Sequence, residues 1–141
     1  MKKVVLPIFL ALLIVLGFLD TPTAAATVSR ASEQIRNYNT DVFATGDGEL
    51  AIQVSVTGTG VMSSIGIKEI KIYAQSGSRW ILQDVFTESN YGMCQTDTFK
   101  YSDTIGYSGM AGLYYKVVVT VFAENINGSD SRTETHYITA R

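Results

Sequence analysis

The chain has 141 residues, 11 basic and 13 acidic, a net charge of −2, one cysteine and one histidine. That inventory excludes an intramolecular disulfide and a zinc site, whose ligand set needs more than one Cys and one His. It also lacks the basic footprint of a nucleic-acid binder, because no run of like charge occurs.

Residues 1–26 read as a secretory signal peptide. Met1-Lys2-Lys3 is basic, and Val4 to Phe18 is apolar. Asp20-Thr21-Pro22-Thr23 breaks the run, and Ala24-Ala25-Ala26 offers the small residues that a signal peptidase requires. The apolar run holds about 15 residues, against roughly 20 for a spanning helix. The expected product is secreted and extracellular, begins near Thr27 and has no membrane attachment after cleavage. Cleavage removes two basic residues and one acidic residue, leaving a net charge of about −3. Residues 27–141 are then one domain, with 27–34 expected to be flexible.

Strand signals follow in order. Tyr38–Ala44 is a first strand, and Thr45-Gly46-Asp47-Gly48 is a turn in which Asp-Gly supplies positive φ. Glu49–Thr57 alternates cleanly, with Leu50, Ile52, Val54 and Val56 on one face. Gly58-Thr59-Gly60 is expected to end it, and Val61–Gly66 to connect it to the strand Ile67–Gln75. Ser76-Gly77-Ser78 turns into Arg79–Phe86. A loop over Thr87–Met93 precedes a weaker strand, Gln95–Tyr101, and Ser102–Gly112 reads as a glycine-rich connection. Leu113–Glu124 is long and apolar on both faces. Ile126-Asn127-Gly128-Ser129 turns into the threonine-rich strand Ser131–Thr139, whose polarity suits an edge. Seven strands with regular turn signals and no long helical period predict an all-β, antiparallel two-sheet sandwich of immunoglobulin type. A barrel of six or seven strands is the rival.

Two resemblances add to this. Tyr115 followed by alternating valines, then Ala123-x-Asn125-x-x-Gly128, is similar to the penultimate strand and turn of fibronectin type III domains. The strand Glu49–Thr57 carries no tryptophan where that family has one. Over the whole chain, four features resemble a group of short secreted proteins of clostridia and related Gram-positive bacteria. They are the leader, Thr57-Gly58-Thr59-Gly60, Ile65-Gly66 before a strand ending Ile72-Tyr73, and Gly128–Thr133 after Tyr114-Tyr115-x-Val117. No activity is assigned to that group, so the resemblance implies compartment and fold without a mechanism.

Catalytic patterns are sparse. His136 is the sole base for a Ser-His-acid set, and it sits alone in the last strand. Pairing Cys94 with His136 has no flanking motif behind it. The carboxylate pairs Asp47/Glu49 and Asp97/Asp103 occupy turns and polar faces. Calcium at Asp47-Gly48-Glu49 or Asn127–Asp130 has no ligand-spacing signature. No enzyme, cofactor or metal is expected. Cys94 stays open between a buried thiol, an intermolecular link and a reactive thiol.

If Tyr115, Val117, Val119 and Val121 fill the core with Ile70 and Ile72, then Tyr73, Tyr114, Val118 and Phe122 point outward as one apolar patch, which is either exposed or covered by Ser102–Gly112 or the N-terminal segment. Such patches mark interaction sites. The expected function is a non-enzymatic extracellular module that binds a cell-surface protein or glycan, with self-association as a further use. The alternatives are a small secreted effector of antimicrobial or toxin type and an extracellular matrix subunit. Mass spectrometry of exported protein should find the N-terminus within a few residues of Thr27. An intact Met1-Lys2-Lys3 on exported protein contradicts the leader assignment.

Overall fold

The computed structural model describes residues 33–141. The leader and residues 27–32 of the expected flexible lead-in lie outside the described residues. Gln34, at the end of that lead-in, is buried and held. Its carbonyl accepts the Thr59 N–H at 2.9 Å, and its side-chain oxygen accepts from Asn125 Nδ2 at 2.6 Å.

The described chain is all-β. Its strands are β1 (Ile35–Gly46), β2 (Glu49–Ser76), β3 (Arg79–Thr87), β4 (Cys94–Ser108), β5 (Tyr114–Asn125) and β6 (Gly128–Thr139). All pairings are antiparallel, and the six strands form one curled sheet. The expected turns are present. Asp47 and Gly48 join β1 to β2 at φ values of 53° and 81°, the left-handed pair that a two-residue hairpin requires. Gly77-Ser78 joins β2 to β3, and Ile126-Asn127 joins β5 to β6.

The strand count corrects the sequence reading from seven to six. Glu49–Thr57, the connector Val61–Gly66 and Ile67–Gln75 are one 28-residue strand, β2. The glycines bend it instead of ending it. Opposite β4, the pairing steps from Thr57↔Lys100 to Met62↔Thr98, so residues 58–61 bulge out against a single residue of the partner. β4 is likewise longer than expected, because Ser102–Ser108 pairs with Glu49–Ser55. Its Ser, Thr, Asp and Gly content conceals a strand that turns only Tyr101, Ile105 and Tyr107 toward the core.

The first part of β2 lies between β1 and β4, and the last part between β5 and β3. The curl brings the inner faces of both parts around one core. All ten expected core residues are in it: Leu50, Ile52, Val54, Val56, Ile70, Ile72, Tyr115, Val117, Val119 and Val121. Met62, Ile65, Ile67, Met93 and Tyr101 are also in it, with Ile35, Val42, Ala74, Ala123 and Ala140. The Tyr101 hydroxyl donates to the Gly92 carbonyl at 2.8 Å. Burial, followed by the nearby Asp103 and Cys94, raises its pKa well above the ordinary tyrosine value.

β1 and β6 end the hydrogen-bonded path β1-β2-β5-β6, and the curl sets them side by side. Ile35 N–H donates to Asp130 Oδ2 at 3.3 Å, Thr40 meets Glu134 and His136, and Gly48 N–H donates to the Arg141 carbonyl at 2.7 Å. Both strands advance together along these contacts, so the seam is parallel. Side chains bridge it where no backbone ladder does among the described residues. Among the described residues, the three buried polar ones, Gln34, Thr40 and Asp130, belong to the seam or its lower end.

Val118 and Val119 test the parity of β5. Val119 is fully buried and Val118 half-buried on the opposite face. Val119→Ala should cost about 1–3 kcal/mol in a urea titration, through lost burial and a residual cavity. Val118→Ala should cost well under half of that. Equal effects would contradict the assignment of faces.

Candidate functional site

The candidate surface is the outer face of the half built from β3, β2, β5 and β6. Register sets its rows. Leu82, Tyr73, Lys116 and Tyr137 lie in one row across the four strands. Gln75 pairs with Trp80 at its upper end, next to Tyr114. The three rings meet there. Trp80 stands 5.6 Å from Tyr114 and 5.7 Å from Tyr137, both tilted, and Tyr114 stacks on Tyr137 at 6.1 Å. Lys116 Nζ lies 4.3 Å from the Tyr73 ring centre and 5.3 Å from that of Trp80. A cation over two aromatic faces is held by their negative quadrupoles. None of these side chains belongs to the core cluster.

Of the four residues expected to make the outward patch, three are open to solvent. Tyr114 is exposed, and Tyr73 and Val118 are half-buried. Phe122 corrects the expectation: it is only 2% exposed. Its parity is outward, since it faces Gly66 on β2 and Ser131 on β6. Lys68, extruded by the bulge between Ile67 and Glu69, lies over the ring at 5.4 Å. Small neighbours and a bulged cover bury a residue that alternation alone places in solvent. Trp80 and Tyr137 are the members that sequence reasoning missed. The hairpin registers Ser76↔Arg79 and Asn125↔Gly128 carry the signal, because counting from them puts both rings on the face of Tyr73 and Lys116.

A groove of about 560 Å³ opens beside the rings, at the upper end of the β1–β6 seam. Val42, Phe43, Tyr114, Tyr137, Ile138 and Arg141 line it. Tyr114 and Tyr137 thus belong both to the ring cluster and to the groove wall.

Lower in the seam, Thr40, Glu134 and His136 bring a hydroxyl, a carboxylate and an imidazole together. The Thr40 hydroxyl donates to Glu134, and His136 Nε2 lies 2.7 Å from the same oxygen. Glu134 stands 3.8 Å from that Nε2. In a nucleophile–base–acid relay the carboxylate holds the far ring nitrogen. Here it meets the hydroxyl and the near nitrogen, so the arrangement ties two strands together and lacks the relay geometry. Cys94 does not approach His136's partners: its Sγ sits 3.6 Å from the Glu88 carbonyl. Asp130, named as a calcium candidate, pairs with Arg132 and accepts from Ile35. Among the described residues, no group of three or more His, Cys, Asp or Glu side chains is placed to hold a metal ion.

Comparison with family models gives no match, and neither does comparison with curated proteins.

Thr40→Val keeps the shape of a buried side chain while removing the hydroxyl that serves both partners. The change should cost about 1 kcal/mol, the net worth of a hydrogen bond, because Glu134 and His136 still reach water. A denaturation midpoint equal to that of the unmodified chain would show that the seam does not rest on this contact.

Proposed function

We propose that this chain is a secreted, non-enzymatic binding module that holds a cell-surface glycan on the ring cluster of Trp80, Tyr114 and Tyr137. The curled sheet is, on this reading, a fused relative of the immunoglobulin-like sandwich, with β2 running through both layers. The leader and the resemblance to short secreted clostridial proteins support the extracellular half of the proposal.

One observation carries the glycan half. Three mutually touching rings lie on the solvent side of a sheet whose other face already has a complete core. Rings buried for stability would lie on that inner side. Exposed aromatic faces take the apolar C–H faces of sugars, and indole N–H and phenol O–H groups offer hydrogen bonds at the rim. Lys116 adds a charge. Lys68 and Lys71 pair with Glu88 and Glu69. Lys116 meets only rings, with no carboxylate in ion-pair range among the described residues. It suits a carboxylate or phosphate carried by the saccharide. The groove at Phe43 and Arg141 extends the surface for a chain longer than one sugar.

Trp80 is the only tryptophan of the protein, so its fluorescence reports on this site alone. Titration with soluble cell-wall polysaccharide should quench or blue-shift its emission and saturate. Trp80→Ala combined with Tyr137→Ala should leave the fold intact and lower retention on insoluble cell wall at least about tenfold, as expected for paired aromatic anchors. Unchanged retention by the double variant contradicts the proposal. Retention that survives glycan removal but not protease treatment of the wall would make the partner a protein.

A further inference from the structure

Four of the six strands, β1, β3, β4 and β6, have a side with no backbone partner, whereas β2 and β5 are paired on both sides. Aspartate follows that division. Within the strands it occurs at Asp41 in β1, Asp84 in β3, Asp97 and Asp103 in β4, and Asp130 in β6. Neither β2 nor β5 has one. Three of the five make the same contact. Asp41 Oδ1 accepts the N–H of Val42 at 2.9 Å, Asp84 Oδ1 that of Val85 at 2.8 Å, and Asp103 Oδ1 that of Thr104 at 2.8 Å.

The Val85 and Thr104 amides face free edges, whereas the Val42 amide faces the seam that β6 already closes. In an antiparallel ladder, both backbone polar groups of a residue point to the same side, and the side alternates from one residue to the next. Ile52 lies between Val42 on β1 and Ile105 on β4. With the Val42 amide turned away from β2, Ile52 bonds toward β4. Ile105 is then its hydrogen-bonded partner, and Thr104, one residue earlier, turns outward. That is the amide which Asp103 takes. On β3, Gln83 Nε2 donates to the Ile81 carbonyl at 3.0 Å. Gln83 is also the extra residue of the bulge between Ile72↔Asp84 and Tyr73↔Leu82, and a bulge spoils an edge for regular pairing.

We propose that Asp84 and Asp103 are edge guards that keep a second copy of this chain from adding a strand to β3 or β4. Each fills the outward donor that an incoming strand needs, and each puts a carboxylate where pairing would strip it of water. β3 has most need of this, because Ile81, Leu82 and Val85 are 46%, 49% and 37% exposed along it. An identical chain bearing the same apolar edge is the partner that every molecule in solution meets. The inference is independent of any glycan on the ring cluster.

The test compares two variants with the same change of charge. Asp84→Ala/Asp103→Ala removes both guards. Glu33→Gln/Glu124→Gln removes two negative charges from side chains that cap no strand-edge amide. Both are read by light scattering after size exclusion, with amide hydrogen exchange at Val85 and Thr104. The guard variant should exchange those amides about tenfold faster, the loss of roughly one hydrogen bond, and its mass should rise with concentration. The glutamate variant should remain a monomer. A guard variant that stays monomeric, a glutamate variant that associates equally, or an unmodified chain already associated through β3 overturns the proposal. If the double guard variant does not fold, Asp84→Ala alone decides by the same reading.

Discussion

The structure depends on one strand serving four others. β2 pairs with β1, β3, β4 and β5, so every element except β6 takes its position from it. Its tightest point is Gly66, which is paired with Cys94 on one side and Phe122 on the other. Gly66 has φ 154°, and a Cβ there would stand 2.4 Å from the Met93 carbonyl oxygen. That same oxygen accepts the N–H of Ile67 at 2.7 Å, so the approach cannot relax without losing a buried hydrogen bond. Any side chain at this position would push β4 off β2. The bulge at residues 58–61 bends the strand earlier. Together these features let one strand carry both ends of the curl.

The outer ring cluster follows from the same arrangement. β3 and β5 flank the last part of β2, which sets Trp80 and Lys116 on either side of the row of Tyr73 and Gln75. β6 hangs on β5 and brings Tyr137 across from Lys116. The rings therefore stand on four hydrogen-bonded strands backed by the valines of β5, and not on a loop. A surface built this way has few rotamers to freeze when a ligand arrives, which favours affinity. The seam between β1 and β6 contrasts with it. Its Asp130, Glu134 and His136 meet β1, with Arg132 paired to Asp130, and polar bridges close the curl where a backbone ladder is absent.

Much of this was legible in the sequence, for reasons that differ between elements. The two-residue period of Leu50 to Val56 and of Tyr115 to Val121 reports a face against the core, and the burial of all of them agrees. Asp47-Gly48 reports a positive-φ turn because few other residue pairs adopt one. The join between the two parts of β2 was hidden, since Gly58 and Gly60 are equally good at ending a strand and at bending it. Ser102–Ser108 was hidden because an edge strand needs few apolar residues. Within the candidate surface, alternation found Tyr73, Tyr114 and Val118 but could not see that Lys68 is extruded over Phe122, a bulge set by pairing and not by composition. Trp80 and Tyr137 became visible only once the hairpin registers placed them across from neighbours distant in sequence.

Native-state hydrogen exchange resolved by residue is the most direct test of β2 as a single spine. Ile52 in its first part and Ile70 and Ile72 in its last part are fully buried in the same core. As denaturant is added, their amides should merge onto one opening free energy equal to that of global unfolding, as members of one cooperative unit do. Ile52 opening at a clearly different free energy from Ile70 and Ile72, with one part of β2 exposed while the other stays protected, would contradict the single spine.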